Sequence, residues 1–262
     1  MDRTERASEF LFNLRQNPKP VEAMPAEIAP QSPAEGYAVQ ERLVRMLLDK
    51  SGGKSVGYKI ACTSLMAQKA LAVDGPFFGT LLSHSCHRSP ATLRATDFTL
   101  RCIESEFGFE MAADVPGVSV YTAETIAEFI GAVIPSIEIV DHRYWDWKTV
   151  GAPSLLADNA IHGAWVTGEP VTAWRKIDYA NHPVNLVVNG ETTYPGSGAA
   201  VLGNPLNVVA WLANELPKYA RKLRMGDRIT TGVTTDIYMA NAGDHLVADF
   251  GILGNVELKF DV

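Results

Sequence analysis

The spacing of apolar residues changes partway along the chain. From Thr4 to Gln16, Phe10, Leu11 and Leu14 share one side of a helical projection, which predicts an amphipathic helix. Four prolines between Asn17 and Pro30 predict an extended linker. Ser32-Pro33-Ala34-Glu35 reads as a capping box with proline at the first helical position. It predicts a helix to about Lys50 that Ser51-Gly52-Gly53 stops. Residues 1–55 thus form a helical section too thin to fold alone. From Val56 the pattern becomes strand-like, and 56–262 reads as the main body. Strands are predicted over 56–62, 99–111, 136–141 and 164–167, with a short helix over 65–71 and loops at 75–79 and 145–154. A helix is predicted from Thr122 to about Val133, ended by Ile134-Pro135. Val184–Val188, Asn189-Gly190 and Glu191–Tyr194 form a hairpin signal. Asn204-Pro205 opens a helix to about Leu216, and strands follow over 228–232, 245–250 and 256–260. Many short strands with few helices between them predict an α+β, mostly β body and not a doubly wound parallel sheet.

Composition narrows the partners. The 262 residues are 47% hydrophobic and 20% charged, enough for a sizeable core. A net charge of −7 argues against nucleic acid. No apolar run reaches the roughly 18 residues needed to span a bilayer, and Met1–Arg6 shows no apolar secretory segment. The three cysteines, Cys62, Cys86 and Cys102, are irregularly spaced and fit a reducing cytoplasm. His84, Cys86 and His87 sit close together, but their spacing matches no standard zinc pattern.

Candidate chemistry gathers on the stretch from Arg101 to Glu110. As a strand it sends Ile103, Ser105, Phe107 and Phe109 to one face, and Glu104, Glu106 and Glu110 to the other with Gly108. If the acidic face is solvated, the repulsion is mild. If it lines a cavity, the acids must be protonated, paired or bound to a cation. Two further polar residues interrupt strand texture. Glu138 lies between Ile137 and Ile139 and is either an edge or ion-pair residue or part of a site. Lys59 is either a strand lysine reaching solvent or, beside a cation and an apolar pocket, a proton carrier with a lowered pKa. Three carboxylates without imidazole or thiolate suit a hard ion, Mg²⁺ or Mn²⁺. Such an octahedral ion would keep positions open for a bidentate oxygen ligand such as a 2-oxo acid.

Several ordered motifs carry a resemblance from about Glu35 to the C-terminus. They are Val56-Gly57-Tyr58-Lys59-Ile60-Ala61-Cys62-Thr63, Ile103-Glu104-Ser105-Glu106, Ile134-Pro135-Ser136-Ile137-Glu138-Ile139-Val140-Asp141, Ala157-Asp158-Asn159-Ala160, Gly198–Leu206, and Gly226-Asp227 with Thr230-Thr231-Gly232. On these the chain resembles the hydratase/decarboxylase branch of the fumarylacetoacetate hydrolase superfamily. The resemblance implies a mixed-sheet roll or barrel. It implies Mg²⁺ (or Mn²⁺) on Glu104, Glu106 and Glu138, and Lys59 as the catalytic proton carrier. It also implies Thr231 and Gly232 near a substrate carboxylate, with Phe77 and Asp158 at the substrate side. The implied activity is hydration of 2-hydroxypenta-2,4-dienoate (2-oxopent-4-enoate) to 4-hydroxy-2-oxopentanoate, or of a close homologue. The alternatives are 4-oxalocrotonate decarboxylation, an acylpyruvate-type C–C hydrolase, or an inactive partner subunit. Family members are oligomers, so a cytoplasmic homo-oligomer is expected. Two departures stand out. Phe77 replaces a common Asp, which tilts toward decarboxylation or a different substrate, and Ile161-His162 replace common serines. His162 reads as structural, exposed or an added acid/base. His142–Trp147 reads as either an aromatic, partly basic substrate wall or surface packing.

Overall fold

Two helices lead into the body. α1 (Arg3–Gln16) is capped by Asp2, and α2 (Pro33–Ser51) by the Ser32 side chain. In α2 the capping box is half formed: Ser32 accepts from the Glu35 N–H, while the Glu35 carboxylate accepts from Gln31. Gly52, with φ +64°, ends α2 in the left-handed conformation that glycine adopts without strain. Ala7 and Leu11 of α1 pack with Val39, Leu43 and Leu47 of α2, which gives these helices their own small apolar cluster. The computed structural model describes every residue of the chain except 118.

Among the described residues the body contains two sheets. Its elements in chain order are β1 (Ser55–Ala61), α3 (Leu65–Leu71), β2 (Phe77–Leu82), β3 (Cys86–Arg88), β4 (Ala91–Arg94), β5 (Cys102–Met111), α4 (Ala123–Ile126), β6 (Ile130–Val140), α5 (Ala152–Ala157), β7 (His162–Thr167), β8 (Pro183–Val188), β9 (Thr192–Ser197), α6 (Pro205–Glu215), β10 (Arg228–Thr230), β11 (Tyr238–Met239), β12 (His245–Asp249) and β13 (Asn255–Asp261). The larger sheet runs β2-β1-β10-β5-β6-β7-β3, with β11 also on β5, and the smaller runs β4-β13-β12-β8-β9. Most pairs are antiparallel, but β1–β10, β3–β7 and β4–β13 are parallel, so both sheets are mixed. This is the α+β, mostly β fold expected from the strand-rich pattern.

The main core joins one face of β5 and β6 to the smaller sheet and α6. Ile103, Phe107, Phe109, Ile137 and Ile139 meet Leu186, Leu246, Val256 and Val209 there. Phe107 stands edge-on to Tyr179 and to Phe250, each with ring centroids 5.3 Å apart. Each such pair contributes about 0.5–1.5 kcal/mol beyond its buried area. The odd positions of β5 therefore fasten the strand to the core, and the period of two turns Glu104 and Glu106 the other way.

Four segments differ from the sequence expectation. The predicted helix over 122–133 is one turn, α4, and strand begins at Ile130 instead of 136. The run from Ile130 to Ile134 is mostly buried on both faces, and such a strand shows no alternation to separate it from a buried helix. Pro135 sits inside β6 because pairing with β7 begins only at Ser136, while the Pro135 carbonyl accepts from Gly168. Residues 77–79 are strand and not loop, and 152–157 form α5 within and beyond the predicted loop.

Candidate metal centre

Three strands meet where the acids lie. In the antiparallel β5–β6 pair, Glu104 is directly opposite Glu138, and Glu106 opposite Ser136. Like charges directly opposite one another destabilise a sheet. Each of the three carboxylates has an oxygen within 4.8 Å of the others. Glu106 and Glu138 are fully buried, whereas Glu104 retains some exposure, so the group opens on the Glu104 side.

The hydrogen bonds divide each buried carboxylate into a held oxygen and a free one. Glu106 Oε2 accepts the Gly232 N–H at 2.9 Å. Glu138 Oε1 faces His162 Nδ1 at 2.8 Å and Lys59 Nζ at 3.2 Å. Among the described residues, Glu106 Oε1 and Glu138 Oε2 are buried without a partner. An unpaired buried carboxylate oxygen carries a desolvation cost of a few kcal/mol. Two such oxygens beside Glu104 fit a hard divalent cation that takes oxygen ligands. Among the described residues this is the one group of three or more His, Cys, Asp or Glu side chains whose ligand atoms lie close enough to share an ion.

The charges set the protonation pattern. Burial, reinforced by Glu138 and Glu104, pushes Glu106 well above the usual carboxylate range. Burial also raises Glu104, against the pull of Lys59. For Glu138 burial acts upward, but Lys59 and His162 outweigh it and the net direction is down. Lys59 is pulled both ways. Burial lowers it, yet Glu138, Glu104 and Glu106 together raise it in the protein without a cation.

Lys59 is buried, with its ammonium between Glu138 and the Ala160 carbonyl at 3.1 Å. That carbonyl is aimed by an unusual turn. Asn159, Ala160 and Ile161 have φ of +52°, +49° and +54°. Left-handed backbone costs about 1–2 kcal/mol per ordinary residue. The Asn159 side chain fixes the turn to β2, accepting from Thr80 N–H at 2.7 Å and donating to Thr80 O at 2.9 Å. His162 follows directly. It is fully buried and its Nε2 lies 3.2 Å from Ser85 Oγ, so it is a partner of the acidic group and not an exposed histidine. A cavity of about 430 Å³ reaches His162 from behind, between Arg15, Ser85, His84 and His87, with none of the three glutamates in its wall.

The remaining sequence candidates fall in different places. Thr231 Oγ1 donates to Phe107 O at 2.7 Å, tying its loop to β5. Gly232 has φ +103°, and a Cβ there would lie 1.9 Å from Thr63 Oγ1, so only glycine lets its N–H reach Glu106. Phe77 is buried among Leu71, Tyr144, Leu155 and Ala160. Asp158 is fully buried, its oxygens taken by Arg15 and Arg143, each at 2.8 Å. Arg143 also pairs with Asp141 at 2.7 Å and Tyr144 is fully buried, so within 142–147 neither offers a free group at the surface, while Trp145 is exposed. Glu110, on the acidic face of β5, instead pairs with Arg228 at 3.0 Å. Among the described residues no helix is long and apolar enough to cross a membrane.

Known proteins resemble this chain in sequence and fold. The fumarylacetoacetate (FAA) hydrolase C-terminal family matches residues 65–260. The chain belongs to the fumarylacetoacetate hydrolase family. A 2-keto-4-pentenoate hydratase of Paraburkholderia xenovorans (strain LB400) is 29% identical over 257 residues, covering 98% of this chain and 94% of that relative. A 4-oxalocrotonate decarboxylase of Pseudomonas putida is 30% identical over 227 residues, covering 87% and 85%. The solved 4-oxalocrotonate decarboxylase from Pseudomonas putida G7, complexed with magnesium and adipate, superposes with a TM-score of 0.91 at 27% identity over 98% of this chain and 97% of that one. Within the family fold, β5 and β6 supply the acids here and β1 the lysine. His162 was the neighbour of the acids that pattern alone did not place. Its one signal was its position just after Asp158-Asn159-Ala160.

Proposed function

We propose that the protein is a Mg²⁺-dependent lyase acting on a 2-oxo-alkenoate, and that it hydrates 2-hydroxypenta-2,4-dienoate (2-oxopent-4-enoate) to 4-hydroxy-2-oxopentanoate or converts a close homologue. The observation that carries this reading is the pair of buried oxygens, on Glu106 and Glu138, that have no partner among the described residues and lie beside the buried ammonium of Lys59. Relatives of near-full length that are named hydratases support it. Glu104, Glu106 and Glu138 would hold Mg²⁺ (Mn²⁺ suits the same oxygen donors). When bound, the ion supplies a Lewis acid for the carboxylate and 2-oxo oxygens of the substrate.

The chain's own groups supply the rest. An ammonium has three N–H donors, and Lys59 directs two of them to Glu138 and Ala160. The third is free to hand a proton to, or recover one from, a substrate carbon. Gly232 and His162 hold the outer oxygens of Glu106 and Glu138, so the inner oxygens stay aimed at the site. Thr231 borders the same loop and is read as facing the substrate carboxylate. Phe77 and Asp158 support the wall from behind.

Decarboxylation of 2-oxohex-3-enedioate (4-oxalocrotonate) is the second reading. It is favoured by an apolar residue at Phe77 and by the close superposition with a 4-oxalocrotonate decarboxylase. The test is to incubate the protein and Mg²⁺ with 2-hydroxypenta-2,4-dienoate and, separately, with 2-oxohex-3-enedioate. Loss of diene absorbance without CO₂ supports hydration. Release of CO₂ from the dioate supports the second reading, and turnover of neither rejects both.

A further inference from the structure

Arg15 lies on α1, outside the residues that match the family. It reaches across the chain to both ends of the left-handed turn at 159–161. Its Nη2 donates to the Asp158 carbonyl at 2.7 Å, its Nη1 to the His162 carbonyl at 3.1 Å, and its Nε to Asp158 Oδ1 at 2.8 Å. The planar guanidinium suits this, because its fixed fork spans two acceptors that a single ammonium would not hold in register. Between those ends, the turn presents two groups to the acidic site. The Ala160 carbonyl accepts from Lys59, and His162 Nδ1 meets Glu138 Oε1.

We propose that Arg15 is a positioning residue of the metal centre, acting from the N-terminal helix through the turn at 159–161 on Lys59 and Glu138. This rests on the reading of Glu104, Glu106 and Glu138 as ligands to the ion. The backbone of the turn is left-handed at three successive non-glycine positions, so it persists only while its surroundings hold it. Asn159 fixes its start to β2, and at its exit the Ile161 carbonyl accepts from the Asp141 N–H at 2.9 Å. Arg15 closes the bracket. Without the guanidinium, the Asp158 and His162 carbonyls lose their shared donor. The ring of His162 and the carbonyl of Ala160 then lose their fixed aim.

The test compares Arg15→Met, Arg15→Lys and Leu11→Ala in the full chain. Met keeps the aliphatic stem and removes the fork. Leu11 is buried in the α1–α2 cluster and destabilises α1 without touching the turn. Mg²⁺ affinity is read by calorimetry on the resting protein, beside kcat, KM and urea stability. Arg15→Met is expected to weaken Mg²⁺ about ten-fold, the lower end of the ~10–100-fold cost of losing a ligand-orienting partner. Its kcat is expected to fall with KM little changed, and Arg15→Lys to recover part of the affinity. Leu11→Ala is expected to lose stability while keeping both Mg²⁺ affinity and kcat. Arg15→Met that loses stability as Leu11→Ala does, with Mg²⁺ affinity within two-fold of the parent, overturns the proposal. Should Arg15→Met not fold, Arg15→Lys with parental affinity and kcat overturns it equally. A parent protein that binds no Mg²⁺ overturns the metal reading itself. A parent that binds Mg²⁺ but turns over neither substrate rejects the proposed reaction alone.

Discussion

Among the described residues, Lys59 is the one cation that directly contacts Glu138 other than a protonated His162, and replacing it with Met removes it. The Nζ–Oε1 separation is 3.2 Å with both groups buried. At an effective dielectric of about 20, that separation corresponds to about 5 kcal/mol of attraction. Breaking one side of a buried pair typically costs about 3–5 kcal/mol. The lower figure applies here, because Glu138 keeps its contact with His162 and can take up a proton. In the absence of divalent ions, Lys59→Met is therefore expected to lose about 3 kcal/mol, a fall in Tm of about 6–12 °C for a chain of this size. Saturating Mg²⁺ replaces the missing positive charge. The deficit should then shrink to about 1 kcal/mol, roughly the hydrogen bond to Ala160. Turnover should drop by at least about 100-fold in either stability regime. Thermal unfolding with EDTA and with Mg²⁺, alongside a diene absorbance assay, reads both. An equal Tm deficit with and without Mg²⁺, or a retained kcat, would refute the reasoning.

Two other consequences are open to measurement. Gly232→Ala places a Cβ against Thr63 at a left-handed φ, so it should cost about 2–3 kcal/mol and release Glu106 from its backbone donor; a variant with parental urea stability and Mg²⁺ affinity would contradict this. Burial and its two acidic neighbours hold Glu106 above the ordinary glutamate range, so without a cation its proton leaves at higher pH than usual and Mg²⁺ must displace it. Mg²⁺ affinity should accordingly rise with pH, with net proton release in calorimetry across buffers of different ionisation enthalpy at mildly acid pH; flat affinity and no released protons would count against it.

The sequence made the chemistry of the site more legible than its surroundings. Period-two alternation was enough to turn Glu104 and Glu106 away from the Phe107 core, and Glu138 stood out as a lone acid among isoleucines. The hairpin at β8–β9 and helix α6 were equally plain, because Asn189-Gly190 and Asn204-Pro205 are local signals. The start of β6 was not, since a strand buried on both faces has no period to read. Arg15, and the partner of His162, were hidden for a different reason. Each acts through contacts made by folding, across 24 residues to Glu138 and 143 to Asp158, and no local pattern marks such pairs. The net upward pull on Lys59 without a cation was hidden too, because folding brings the carboxylates of β5 and β6 beside β1.

The central claim is that Glu104, Glu106 and Glu138 hold one divalent cation. Isothermal calorimetry of Mg²⁺ into the metal-free protein and into Glu106→Gln tests it most directly. Gln keeps the shape and the acceptor for Gly232 while removing the charge. One Mg²⁺ per chain in the parent, with affinity lost in a folded Glu106→Gln, is the predicted result. Tight Mg²⁺ binding by Glu106→Gln would contradict the account.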